Sequence, residues 1–269
     1  IGELGGVALL IGAAKRFPQS TNVAADVAGA LAVLAVDDAL EAQIAASGGI
    51  GVLLDALQRH KSAVAVAAHG WHALTNLSVS AATKAQIAEA AGLRTLISST
   101  LQQHSEAPRV VEGVATTVRN LCDGGAMRAE KLLDTAALQR LLETLQTYEQ
   151  KALIALALVS CVRAVAADPA HAKQLAGFGG REVLAACAAA HKDDERLGEE
   201  VASALRRIGD AEAGVEPHTR KSEVKAATKR PALGSTKKAT PGSLKGNLSS
   251  RLGSPAKKGG RKSERKSER

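Results

Sequence analysis

The sequence predicts an all-α fold: a right-handed α-solenoid of about five three-helix repeats, followed by a disordered tail. One observation is a short apolar phrase that recurs five times, at intervals of 43, 44, 44 and 43 residues. Self-similarity at such a period is typical of helical-repeat proteins. A second is the three- and four-residue spacing of apolar residues within each unit, which indicates amphipathic helices. We use the fourth residue of each phrase as a reference and call the set the column residues: Val33, Asn76, Asn120, Ala164 and Arg207.

The second unit shows the order of helices within a repeat. A short helix is predicted from 38 to 46, a second from 49 to 59 and a longer third from 62 to 78. Gly48 and Gly49 separate the first two, because glycine adopts the backbone angles that end one helix and open the next. The first unit starts at its second helix, so the first repeat is predicted to be incomplete. No strand is expected in residues 1–210, since the valines there follow a helical spacing.

Charge divides the chain into two predicted regions, a solenoid over residues 1–212 and a tail over residues 213–269. Residues 1–214 carry 19 Lys or Arg and 23 Asp or Glu, a net charge of −4, whereas residues 215–269 carry 16 and 4, a net charge of +12. The tail is rich in Ser, Gly, Pro and Lys and has few aliphatic residues. Such a composition cannot bury enough apolar surface to offset the entropy of ordering, so we expect disorder.

The tail contains short motifs that favour regulation or electrostatic binding. Ser254 and Thr240 each precede proline and are candidate phosphorylation sites, where a phosphate would lower the positive charge. Two interpretations stay open: a solvated low-complexity tail, or contact with an acidic surface such as nucleic acid, tubulin tails or anionic lipid. The basic residues that would make this contact are Lys229, Arg230, Lys237, Lys238, Lys257 and Lys258.

Composition limits the class of protein. Only four aromatic residues occur, so the core must be built from Ala, Leu, Val and Ile. The three cysteines, Cys122, Cys161 and Cys187, lie on apolar helices without metal-ligand spacing, which predicts buried free thiols in a reducing compartment. No apolar run is long enough to span a membrane. We expect an intracellular protein, in the cytoplasm, with the nucleus or the cytoskeleton as alternatives.

Two sequence features resemble the armadillo repeat family. Gly48-Gly49-Ile50 opens a second helix, and Ala73-Leu-Thr-Asn-Leu-Ser78 ends a third. The resemblance covers about residues 3–210. It implies a binding scaffold in which the third helices line the concave face of a superhelix and hold a partner peptide or domain.

The column residues suggest where such a partner would bind. In the armadillo proteins that carry nuclear import cargo, a Trp walls a pocket and an Asn one turn later bonds the peptide backbone. Here the Asn is kept at Asn76 and Asn120, but the Trp position holds other residues. Trp71 stands one residue earlier, which is expected to turn it toward the core or a neighbouring helix. The asparagines have two open interpretations, contact with a ligand or a hydrogen bond to the loop of the adjacent repeat. The predicted contact residues are His72, Asn76, Thr116, Asn120, Ser160, Ser203 and Arg207.

Motifs for catalysis, metals and cofactors are lacking in the sequence. There is no nucleophile motif, no phosphate-binding glycine loop after a strand, and no zinc-protease motif. His60, His104 and His191 share one repeat position, so they should lie about a repeat apart rather than around a metal. We therefore expect a non-enzymatic protein-protein interaction scaffold without metal or cofactor. Nucleic-acid or microtubule binding through the tail is the alternative, and a nuclear import adaptor is a weaker one.

Overall fold

The computed structural model describes residues 4–123 and 129–214, and within these ranges it contains fourteen α-helices and no strand. The first helices of the repeats are α3 (Asp38–Ala46), α6 (Ala81–Ala88), α9 (Ala129–Leu132) and α12 (Pro169–Gly177). The second helices are α1 (Gly6–Arg16), α4 (Gly49–Arg59), α7 (Leu93–Gln103), α10 (Thr135–Thr147) and α13 (Gly180–Ala190). The third helices are α2 (Thr21–Leu34), α5 (Val64–Leu77), α8 (Pro108–Cys122), α11 (Ala152–Val165) and α14 (Glu195–Glu212).

The predicted all-α repeat architecture is confirmed. Five units follow one another, and the first consists of α1 and α2 alone within the described residues. In the second unit α3 and α4 have the predicted bounds, while α5 starts at Val64 rather than at residue 62. The difference arises because Ala63 is the extended N-cap of α5, so the turn is longer than the polar residues indicate.

Four second helices begin after a glycine in the left-handed region, with φ of 73°, 81°, 79° and 78°. Residues with a β-carbon rarely adopt this angle, which explains glycine at the position. Each of these glycines precedes its column residue by 28 positions: Gly5, Gly48, Gly92 and Gly179. The fourth repeat differs, because α10 begins two residues earlier. There the Asp134 carboxylate caps the helix by accepting a hydrogen bond from the Ala137 amide at 2.8 Å.

The third helices stack in chain order into one layer, from α2 through α5, α8 and α11 to α14. The second helices stack in the same order beside them. Glycine permits close approach within the third-helix layer: a β-carbon on Gly113 in α8 would lie 2.9 Å from the Trp71 β-carbon in α5. We call the solvent-facing side of this layer the third-helix face.

The core is built mainly from small aliphatic residues, as predicted, with Trp71 as its largest side chain. Trp71 is fully buried, and its indole N–H donates to the Thr100 hydroxyl at 3.2 Å. The expected direction of Trp71 toward the core is thus confirmed. All three cysteines are free. Cys161 and Cys187 are buried and Cys122 is half-buried. Burial raises the pKa of the Cys122 thiol to about 12, with smaller contributions from nearby Asp carboxylates.

Among the described helices, none is by itself both long and apolar enough to cross a membrane; α3 and α4 reach that length and composition only as a pair bent by 71°. The predicted disordered tail lies outside the described residues from 215 onward. So do its phosphorylation candidates and basic residues, Thr240, Ser254, Lys229, Arg230, Lys237, Lys238, Lys257 and Lys258.

Candidate partner-binding face

Three column residues join neighbouring third helices by hydrogen bonds. The Asn76 amide donates to the Ala32 carbonyl oxygen at 2.8 Å. The Asn120 amide donates to the Thr75 carbonyl at 3.4 Å and to the Ser78 hydroxyl at 2.9 Å. One repeat position therefore makes the same bond to the preceding repeat, and Arg207 repeats it by donating to the Arg163 carbonyl at 2.9 Å.

The acceptors share one place in their helices. Ala32, Thr75 and Arg163 each lie in the last four residues of a third helix, where carbonyl groups have no partner within the helix. For Ala32 and Arg163 the side chain from the next repeat supplies that partner. The Thr75 carbonyl also accepts hydrogen bonds from the Ser78 amide at 3.3 Å and the Ser78 hydroxyl at 2.8 Å. Of the two interpretations of the asparagines, a bond to the adjacent repeat is thus present, and its acceptor lies in the last helical turn rather than in a loop. The bond to Ala32 uses only the amide nitrogen of Asn76, and its side-chain oxygen accepts no hydrogen bond from the described residues.

The other predicted contact residues differ in how much solvent reaches them. His72 is exposed, and Thr116, Ser203 and Arg207 are half-buried. Ser160 is only 4% exposed and therefore offers little surface to a partner. Sequence spacing alone could not reveal that burial.

A charged cluster on the face was missed in the sequence. Arg163 in α11 donates to Glu200 of α14 at 2.6 Å and to Asp123, just beyond α8, at 3.3 Å. Burial by itself acts to lower the pKa of Arg163, but the two carboxylates more than offset this, and the pKa is raised. The available signal was an arginine just before the column position in three successive repeats: Arg119, Arg163 and Arg206.

A second set of inter-repeat bonds lies at the turns between second and third helices. The Nε2–H groups of His60, His104 and His191 donate to backbone carbonyls of the preceding repeat, at 3.0, 2.6 and 2.5 Å. Their acceptors are Pro18, Lys61 and Glu149. The three histidines are therefore structural links at three of the four interfaces between repeats. No group of three potential metal ligands occurs among the described side chains.

The face changes in character along the solenoid. In the first two repeats it presents exposed aliphatic side chains, Val33, Val36 and Val79, with exposures of 72%, 74% and 61%. From the third repeat onward it carries charged residues such as Asp123 and Arg163. A surface of this kind can bury apolar groups of a partner and form ion pairs with it.

Comparison with known proteins finds fifteen similar chains among solved structures. No family model matches the chain, and no curated protein matches it. A chain from the structural study "A conserved phosphorylation switch controls the interaction between cadherin and beta-catenin in vitro and in vivo" is 23% identical, with a TM-score of 0.64. The match covers 78% of the present chain and 40% of that chain, so the present chain spans less than half of its length. The likeness supports an armadillo-like fold.

Proposed function

We propose that the chain is a non-enzymatic protein-interaction scaffold that holds an extended segment or a domain of a partner protein along the third-helix face. The observation that carries this proposal is the uninterrupted layer of five third helices, in which one repeat position is fixed by hydrogen bonds of 2.8–2.9 Å. A surface ordered before binding loses little entropy when a partner docks. Neither a cofactor nor a metal is part of the proposal.

The structural neighbour gives independent support for a protein partner. The study of that neighbour concerns the interaction between cadherin and beta-catenin, which is an association between proteins. A shared fold does not transfer a partner, so the proposal here extends only to the class of ligand. The exposed His72 and the half-buried Thr116 and Ser203 are the side chains we expect to contact it, together with the free acceptor of Asn76.

The proposal is tested with a displayed random-peptide library panned on the immobilised full-length chain. The affinity of each selected peptide is then measured for His72→Glu and Thr116→Lys, two changes at accessible positions of the face. We expect a roughly tenfold or larger loss, equal to at least about 1.4 kcal/mol. The matched control is Gln58→Glu, an exposed residue of the second helix α4. Equal losses for Gln58→Glu and the face variants would contradict the proposal.

A second candidate function rests on the net charge of +12 in residues 215–269. In that case the tail binds nucleic acid or microtubules and supplies the affinity. Such binding falls steeply with salt, because it depends on neutralised phosphates or carboxylates. Lys257→Glu with Lys258→Glu in the full chain should then weaken DNA or microtubule binding, while His72→Glu leaves it unchanged.

The import-adaptor alternative has its own test. It requires binding of a basic signal peptide that is lost in an Asn76→Ala, Asn120→Ala double variant. Because both asparagines also join neighbouring helices, the variant needs a stability measurement at the same temperature. Loss of binding with a folded chain supports the adaptor, and unchanged binding excludes it.

A further inference from the structure

The part of the third-helix face formed by α2 and α5 carries no positive side chain. No Lys or Arg occurs between Arg16 and Arg59, or between Lys61 and Lys84. Carboxylates are present at the same end of the solenoid, on the exposed residues Asp26, Asp37 and Asp38. Asp37 caps α3 by accepting hydrogen bonds from the Ala39 and Leu40 amides, both at 3.0 Å. The local charge is therefore negative.

Three exposed valines lie on this negative part of the face. Val33 is the column residue of the first repeat, while Val36 and Val79 occupy one position, three residues beyond the column, in the first two repeats. The hydrogen bond from Asn76 to the Ala32 carbonyl holds the ends of α2 and α5 together, so the three valines share one end of neighbouring helices. We call Val33, Val36 and Val79 the valine surface.

At this repeat position, three residues beyond the column, a valine occurs only in the first two repeats, although Leu153 near the start of α11 is also exposed, at 78%. At the position of Val36 and Val79, the third and fifth repeats have Asp123 and Asp210, and the fourth has Ala167. Exposed aliphatic side chains grouped at the ends of two neighbouring helices indicate an interaction surface. The carboxylates beside them select the charge of whatever covers the valines.

We propose that the valine surface binds an aliphatic segment of a partner protein that carries Lys or Arg on its flanks. The aliphatic side chains of the partner cover the valines and remove them from water. The flanking cations approach Asp26 and Asp38 without meeting a cation of this chain. A basic segment that lacks aliphatic residues would leave the valines in water and should bind poorly. This inference rests on the proposed function, since it specifies the ligand for one end of the same face.

Three synthetic peptides test the chemistry against the full-length chain by fluorescence anisotropy. The first has four Leu or Ile residues with Arg at both ends. The second keeps the Arg residues and replaces the aliphatic residues by Ser, and the third keeps the aliphatic residues and replaces Arg by Glu. We expect the first to bind at least about tenfold more tightly than either of the others. Equal binding of the first and second peptides would overturn the proposal.

Matched variants locate the binding. Val33→Thr with Val79→Thr keeps the shape of the side chains but replaces a methyl group by a hydroxyl at each position. The double variant should weaken the first peptide by about tenfold, and Asp26→Asn with Asp38→Asn by about threefold at low salt. The control is Leu9→Thr on α1, which has the same 72% exposure as Val33 but lies outside the third-helix layer. An equal loss with Leu9→Thr would refute the assignment.

The same measurements separate this inference from the proposed function. Library-selected peptides that lose affinity with Thr116→Lys but not with the valine variants support a scaffold and refute the valine surface. If no peptide responds to any change on the face, both proposals are wrong. Binding of the first peptide that depends on the valines and aspartates supports both.

Discussion

The hydrogen bond from Asn76 to Ala32 should contribute measurably to the stability of the first two repeats. The Asn76 amide supplies the hydrogen bond that the Ala32 carbonyl receives from the described residues, at 2.8 Å, and Ala32 is 2% exposed. Asn76→Ala leaves that carbonyl without a partner in a buried position. The loss of a partner for one buried polar group costs about 1–3 kcal/mol.

The assay uses the single tryptophan as a local reporter. Trp71 is fully buried in α5, the helix that also carries Asn76, so its fluorescence follows unfolding of that repeat. Urea titrations followed by Trp71 fluorescence and by circular dichroism together give the free energy of unfolding and reveal whether the repeats unfold in one step. A domain of this size should lose roughly 2–4 °C in melting temperature per kcal/mol.

The control is His72→Ala, an exposed residue one turn earlier on the same helix. It should change the free energy of unfolding by less than about 0.5 kcal/mol. If Asn76→Ala is no more destabilising than His72→Ala, the hydrogen bond contributes nothing, and the reasoning from the unpartnered carbonyl is refuted.

Three further predictions follow from packing, titration and charge. Gly113→Ala should destabilise the fold by about 1–3 kcal/mol, because the added β-carbon would lie 2.9 Å from the Trp71 β-carbon. Gly198→Ala is the control: open space surrounds that position, so the change should be neutral or stabilising in the same urea titration. Burial lowers the pKa of His171, so the folded protein is favoured while the imidazole is neutral, and this stability is lost as the pH falls below the unfolded pKa near 6.5. His171→Gln should therefore flatten the dependence of the free energy of unfolding on pH between pH 7 and pH 5. An unchanged slope would contradict this prediction. Arg163→Ala should lower the free energy of unfolding by about 1–3 kcal/mol, because it leaves the Asp123 and Glu200 carboxylates without their ion pairs. Arg59→Ala removes an exposed ion pair within one helix and should cost less. Equal losses would show that the Arg163 cluster does not stabilise the fold.

Much of the fold could be predicted because the same helix pattern recurs five times, so an ambiguous helix in one repeat can be assigned from the others. The column period fixed the number of units, and glycine at a position that requires positive φ marked four of the five second helices. The fourth repeat could not be aligned in this way, because Asp134 caps its second helix and replaces the glycine. A carboxylate cap and a glycine with positive φ can both begin a helix. Alignment by the glycine position therefore fails in the repeat where the carboxylate takes that role.

The candidate site was less accessible to sequence reasoning. Helical phase placed His72 and Asn76 on one face, but it could not show that Ser160 is buried, because burial depends on the neighbouring helices. The ion pairs of Arg163 with Asp123 and Glu200 join residues about 40 positions apart, and their charges alone do not specify a pairing. In the sequence the exposed valines look like any other apolar residues at or just beyond the ends of third helices, and only their exposure in the structure distinguishes them from the core.

The bonds from the column and from the turn histidines all run in one direction along the chain. In each of them a side chain of the later repeat donates to a main-chain carbonyl of the earlier one, and Asn120 donates to the Ser78 hydroxyl as well. A ribosome releases the earlier repeat first, so each new repeat finds its acceptors already formed and can dock as it emerges. Since every residue type provides a carbonyl, a duplicated repeat would also find an acceptor in the repeat before it. A scaffold of this kind can therefore lengthen by gene duplication without a matching substitution in the preceding repeat.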